Sequence, residues 1–233
     1  MTTDGVRRTL DAVWRIESAR LVASIARLVR DVELAEEVAQ DTLVIALQQW
    51  PRDGVPDDPG PWLRATAKHC AIDLVRRRQR YAEKLAVLGG DMSERDQTDE
   101  LVDELDDHIG DDLLRLMFTA AHPVLSTEGK VALTMRLLGG LSTKEIARAF
   151  LIPEATAAQR IVRAKKTLTR EGVEFAMPTP GETAERLGAV LGVLYLVFNE
   201  GYSATSESDW IRPTLCQEAM RLCRIVADRK SVV

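Results

Sequence analysis

Apolar positions recur three and four residues apart along most of the chain, and no stretch alternates apolar and polar residues as a half-buried strand would. Trp14, Ser18, Leu21, Ile25 and Leu28 keep helical spacing and predict a first helix from about Val6 to Arg30. A second is predicted from about Asp31 to Trp50, with Glu33, Glu36, Glu37 and Gln40 on one face. Pro51 to Pro61 (PRDGVPDDPGP) reads as a rigid loop. A third helix follows from Trp62 to about Arg80, with Leu63, Ala67, Cys70 and Leu74 as its buried stripe.

Beyond an acidic stretch the periods become shorter. Asp111 to His122 predicts a short helix before Pro123, and Thr127 to Leu138 another, stopped at Gly139 and Gly140. Ser142 and Glu145 form a capping-box pattern that starts a helix running to Phe150. Pro153, suited to a first helical turn, opens a longer helix to about Arg170. Two helices separated by so short a turn are the mark of a helix-turn-helix. After Met177–Gly181 two more helices are predicted, about Glu182 to Asn199 and Pro213 to Asp228. The run GAVLGVLYLVF in the first is too broad for one stripe, so most of its circumference should be buried. Leu215, Ala219, Leu222 and Val226 give the second a stripe that needs a partner. The pair is therefore expected to pack back on the helix-turn-helix segment or its linker. The fold class expected is all-α.

Composition and charge sharpen the picture. Low aromatic content (5%) with abundant Ala and Leu favours helices, and 233 residues suffice for two or three small domains. The net charge of −5 is uneven: Asp91 to Asp112 carries eleven acidic residues against Arg95, which leaves the rest of the chain at +5. A basic body with an acidic connector suits a nucleic-acid binder better than the total suggests, although a solvated linker explains the acidic stretch equally well. Three cysteines without CxxC spacing (Cys70, Cys216, Cys223) point to reduced thiols. The N-terminus lacks a signal-peptide core, and Leu187 to Phe198 falls short of the roughly 20 apolar residues of a membrane span. A soluble, cytoplasmic protein that does not engage a membrane is expected.

The candidate chemistry lies on two helices. From Pro153 to Arg170, steps of about 100° place Ala157, Ile161, Ala164 and Leu168 on one narrow face. Opposite lie Thr156, Gln159, Arg163, Lys166 and Arg170, flanked by Arg160 and Lys165. Amide and guanidinium groups on such a face reach base edges in a major groove, while lysines contact phosphates. An ordinary solvated face is the plainer reading, and the capped helix and tight turn before it tip the balance towards DNA. The helix from Trp62 combines Trp62, Arg64, Lys68, His69, Arg76 and Arg77, with Ile72, Arg78 and Arg80 nearby. Aromatic and basic groups together suit unstacked single-stranded bases. The plainer alternative makes Trp62 core and the arginines a solvated helix end.

In combination these segments resemble the extracytoplasmic-function sigma factors, the small group of the sigma-70 family of RNA polymerase subunits, over roughly Leu10 to Gly172. LAEEVAQDTLVIALQQW resembles the polymerase-binding helix of region 2, and PWLRATAKHCAIDLVRRRQR the segment that melts and reads the −10 element. LSTKEIARAFLIPEATAAQRIVRAKKTL resembles the region 4 helix-turn-helix that reads the −35 element. By position, the resemblance implies that Glu36, Glu37, Gln40 and Asp41 face the polymerase clamp helices. It implies that Trp62, Arg64, Lys68, His69, Arg76 and Arg77 contact the −10 element, His69 standing where the family often has Asn beside a flipped base. Thr156, Gln159, Arg160, Arg163, Lys165 and Lys166 would contact the −35 element. The partners implied are core RNA polymerase (clamp helices and flap) and promoter DNA; an anti-sigma factor is a further partner the family admits. No cofactor or catalytic residue is implied.

LLRLMFTAAHPVLSTEGKVALTMRLLGGLSTKEIARAF and VLGVLYLVFNEGYSA further resemble a subgroup with a C-terminal helical-repeat (tetratricopeptide-like) extension. Ala120 and Ala121 stand before His122 and Pro123 where that subgroup commonly has two cysteines, and its extension is usually longer. The organisation expected is region 2 at 6–80, an acidic linker at 81–111, region 4 at 112–172 and a shortened extension at 182–229. An enzyme is not expected: His69, His108 and His122 have no metal-ligand spacing, Cys216 and Cys223 read as buried thiols, and no GxSxG, P-loop or dinucleotide pattern is present. The competing class is a one-component regulator that binds duplex DNA by itself and uses the C-terminal helices as sensor or dimeriser.

Overall fold

The computed structural model describes residues 3–89, 109–203 and 211–228. Among these the chain forms nine α-helices and no strand, as the periodicity required. They fall into two compact units, Met1–Ile109 and Gly110–Val233.

The first unit is a three-helix bundle of α1 (Thr3–Val29), α2 (Val32–Asp53) and α3 (Pro59–Gly89). α1 stops where Arg30 turns left-handed (φ 53°), its N–H still bonded to the Ala26 carbonyl at 2.8 Å. Asp31 then caps α2, its carboxylate accepting from the N–H groups of Glu33 (2.8 Å) and Leu34 (3.1 Å). A connection this short makes α1 and α2 packed neighbours. Val6, Leu10, Ala46, Trp50 and Leu63 form a core cluster, with Val13, Leu43, Val55 and Trp62 packed on it.

Three sequence expectations change here. The loop read at Pro51–Pro61 is only residues 54–58 long, because α2 continues through Pro51 and α3 starts at Pro59. Pro51 forfeits a single helical hydrogen bond near the helix end, where Trp50 is locked in the core and the Gly54 N–H closes on the Trp50 carbonyl at 3.0 Å. Pro59 and Pro61 sit in the first turn of α3, where the missing N–H costs nothing. The buried stripe of α3 is Leu63, Ala67 and Ala71, with Cys70 and Leu74 half-buried. α3 also runs on to Gly89, into the stretch read as linker, and the acidic residues 91–108 lie outside the described residues.

The second unit contains α4 (Ile109–Ala120), α5 (Thr127–Leu137), α6 (Thr143–Ala149), α7 (Glu154–Arg170), α8 (Thr183–Ser203) and α9 (Ile211–Asp228). Leu114, Leu116, Met117 and Phe118 of α4 are fully buried, and Asp112 is buried in an ion pair with Arg115 (2.6 Å). Ser126 caps α5, accepting from the Gly129 N–H at 3.2 Å. α5 stops as read: a Cβ on Gly139 would stand 2.8 Å from the Met135 carbonyl oxygen, so the turn needs glycine there. The Ser142–Glu145 capping box is formed in both directions, with Glu145 N–H to Ser142 Oγ at 3.2 Å and Ser142 N–H to Glu145 Oε2 at 2.8 Å.

The C-terminal helices pack on each other, and α8 lies against α5 while α9 meets α6. They fold back on the helix-turn-helix, as expected. Leu215, Ala219 and Leu222 of α9 are buried, with Val226 half-buried. α8 departs from expectation: Val190, Val193, Leu194 and Val197 are buried, but Leu191, Tyr195 and Leu196 form an exposed face. Two arginines tie the pair down. Arg186 Nη2 donates to the Phe118 carbonyl near the end of α4 (3.2 Å), and Arg221 Nη2 donates to the Leu138 carbonyl that ends α5 (3.1 Å).

Candidate nucleic-acid interface

α6 and α7 meet across a turn in which Leu151 adopts a left-handed backbone (φ 50°) and the Ile152 N–H bonds the Ala147 carbonyl at 3.0 Å. That turn aims α7 across α5 and α6, and Ala157, Ile161, Ala164 and Leu168 are its buried residues, the four read from the period. α5 and α7 pack against each other beside Gly129, where a Cβ would meet Ala164 Cβ at an ordinary contact distance of 3.6 Å. The outer face carries five cations against a single acid, Glu154. Gln159, Arg163 and Lys166 are exposed, and Thr156, Arg160 and Lys165 are half-buried along the flanks. Arg170 pairs with Glu171 at 2.9 Å. A cleft of about 290 Å³ opens beside this face, lined by the cap residue Ser126, by Glu128 and Gly129 of α5 and by Arg160, Arg163 and Thr167 of α7. Val162 also points outwards, 45% exposed, which the sequence reading passed over. Its position one step from Ile161 in the helical period was the available signal.

In the first unit α3 carries a second cationic face. His69, Arg76 and Arg77 are exposed and Lys68 is half-buried. Asp73 lies among them, also exposed. The other two residues are engaged with the bundle. Trp62 packs edge-on against Trp50, ring centres 5.5 Å apart at 67°, and remains half-buried. Arg64 reaches Glu17 of α1 at 2.7 Å, next to Gly60, where a Cβ would come within 3.2 Å of the Glu17 carboxyl. Arg64 thus joins α1 to α3 whatever else it contacts.

On α2, Glu37 and Asp41 are exposed and Gln40 is half-buried, whereas Glu36 is only 6% exposed. Glu36 therefore does not share the open face with its neighbours: it falls on the side that carries Val32, Ala35 and Ala39 into the bundle. Val44 and Leu47, both exposed, extend the face of Glu37 and Asp41 along the helix. The sequence reading missed them, although their spacing is out of phase with the buried Ala39, Thr42 and Ala46.

Residues 16–81 match sigma-70 region 2, and residues 115–168 match sigma-70 region 4. The chain belongs to the sigma-70 family. The two regions in this order support the extracytoplasmic-function type read from the sequence. Residues 186–232 match a family of unknown function (DUF6596), which covers α8 and α9 and is consistent with the extended subgroup. An uncharacterized protein of Rhizobium meliloti (strain 1021) is 42% identical over 207 residues, covering 88% of this chain and 48% of the relative. The chain thus spans about half the length of the curated relative it matches. In this sigma-70 family chain, then, the α7 face belongs to region 4, and the α2 and α3 faces to region 2.

No helix among the described residues is long and apolar enough to cross a membrane. Cys216 is half-buried and Cys223 exposed, so the two are not the buried thiols read from the sequence; at the half-buried Cys70 burial raises the thiol pKa, and Asp41 and Asp73 add to the effect. His122, at the end of α4, is held below its ordinary value by burial and by Arg186, with Glu182 acting the other way.

Proposed function

We propose that this chain is a sigma factor: a non-enzymatic, cytoplasmic subunit that joins core RNA polymerase and directs promoter-specific initiation. The observation that carries the reading is the pair of cationic helix faces, α7 and α3, in two separately packed units of a sigma-70 family chain. α7 reads the −35 element through Gln159 and Arg163 at base edges, with Thr156, Arg160, Lys165 and Lys166 at the backbone. α3 serves the −10 element. His69, Lys68, Arg76 and Arg77 meet the unpaired strand, Trp62 offers its open edge to a base, and Arg64 steadies the helix through Glu17. Glu37, Gln40 and Asp41, continued by Val44 and Leu47, form the face for the polymerase clamp helices, with Glu36 beneath them. Region 4 engages the flap. An anti-sigma protein that covers either face is compatible with this arrangement.

Transcription in vitro tests the proposal. The full chain, added to core polymerase of the source organism, is expected to yield run-off transcripts from defined −35/−10 promoters in a genomic library. A holoenzyme that never forms would overturn it. A one-component regulator predicts the opposite gel shift, with tight duplex binding that does not need core enzyme.

A further inference from the structure

The outer face of α7 is not uniformly polar. Ala155, Gln159, Val162 and Lys166 follow one another at i, i+4, i+7 and i+11, along a line opposite the stripe buried in region 4. Val162 is 45% exposed between Gln159 and Lys166 and next to the exposed Arg163, and Ala155 is exposed two turns before it. A valine here adds nothing to the core, since Ile161 already fills the inward position. It is also a poorer helix former than the straight-chain polar residues beside it.

The chemistry of the major groove gives such a residue a partner. Base edges there are hydrogen-bond donors and acceptors except at one group, the 5-methyl of thymine, which only an apolar contact can read. Valine is stiff at χ1, so its two methyls are presented with little freedom left to lose. Over the seven residues from Ala155 to Val162 the helix rises about 10 Å, the length of about three base-pair steps. We propose that Val162, aided by Ala155, forms an apolar subsite on α7 that reads the 5-methyl groups of thymines in the −35 element. The inference rests on the reading of α7 as the −35 helix and adds a specificity residue to it. Gln159, one turn before Val162, is placed to take the edge of an adjacent adenine, so the subsite favours A·T pairs beneath the middle of the helix.

The test uses holoenzyme assembled from the full chain on a promoter it selects. Each thymine of the −35 element is replaced in turn by deoxyuridine, which deletes the methyl and leaves every hydrogen-bonding edge intact. With the natural chain, one or two positions should lose about threefold to tenfold in affinity, the scale of one buried methyl group. With Val162→Ala that difference should vanish, while affinity for the deoxyuridine promoter stays at the natural chain's value. Val162→Thr, which keeps the shape, should bring the difference below twofold. Deoxyuridine without effect at every position would overturn the proposal, and so would a methyl preference that persists in Val162→Ala. Failure to select any promoter would instead remove the sigma-factor reading and the subsite with it.

Discussion

Replacing both Arg186 and Arg221 with alanine should release the C-terminal pair from region 4 without unfolding the helix-turn-helix. The two guanidinium groups join the tail to carbonyls at the ends of α4 and α5, at 3.2 and 3.1 Å. A hydrogen bond from a charged donor contributes about 1.5–3 kcal/mol. Arg186 falls near the lower end, because its Nε is buried without a partner and truncation removes that cost as well. The side chain of Arg221 is 40% exposed and shared with Glu218, so about 0.5–1 kcal/mol is reasonable there. Together they stabilise the docked tail by about 2–3 kcal/mol, roughly 30- to 150-fold in the equilibrium between docked and open tail. The apolar packing of α8 and α9 outweighs this, but it holds the two helices to each other more than to region 4. Hydrogen exchange reads the difference directly, since an undocked two-helix pair is marginal and exposes its amides. Protection in α8 and α9 should fall by that factor while α7 keeps its own. Unchanged protection in the double variant would refute the clamp, and equal losses in α7 would show that tail and region 4 open as one unit.

Three further outcomes are expected. Arg163→Ala should cost about 1–3 kcal/mol and relax discrimination in the −35 element, whereas Lys166→Ala should weaken binding to all sequences and lower its salt dependence, both read by titration at several salt concentrations. His69→Ala should impair melting of the −10 region more than duplex binding, seen as reduced permanganate reactivity; unchanged reactivity would make His69 a surface residue only. His122 is depressed when folded, so the unfolded chain binds its proton first: as pH falls below about 6.5, stability should drop until the folded value is passed. His122→Gln should remove that portion of the pH dependence in urea melts.

Several features were legible because their causes act within a turn or two of the chain. The Ser142–Glu145 box, the glycine stop after Leu138 and the four buried residues of α7 each follow from contacts or periods inside one short segment. A basic helix preceded by a capped partner and a tight turn specifies a helix-turn-helix by itself, and the same period that buries Ile161 exposes Arg163. The all-α class was readable on the same ground, whereas the two sigma regions and their order came from the resemblance of three segments to the family's motifs.

Other features depend on what a distant segment brings near. Arg64 looked like a free cation until folding set it against Glu17, 47 residues earlier. Glu36 and Glu37 are adjacent acids in sequence, yet packing of the bundle buries one and leaves the other open. Pro51 reads as a helix breaker, but the burial of Trp50 and the cap at Gly54 outweigh one lost hydrogen bond. Arg186 and Arg221 find their carbonyls across 68 and 83 residues, pairings that no local period encodes. The open face of α8 has the same origin: apolar composition requires a helix of this kind to be covered somewhere, and only the placement of α5 and α9 decides which side that is.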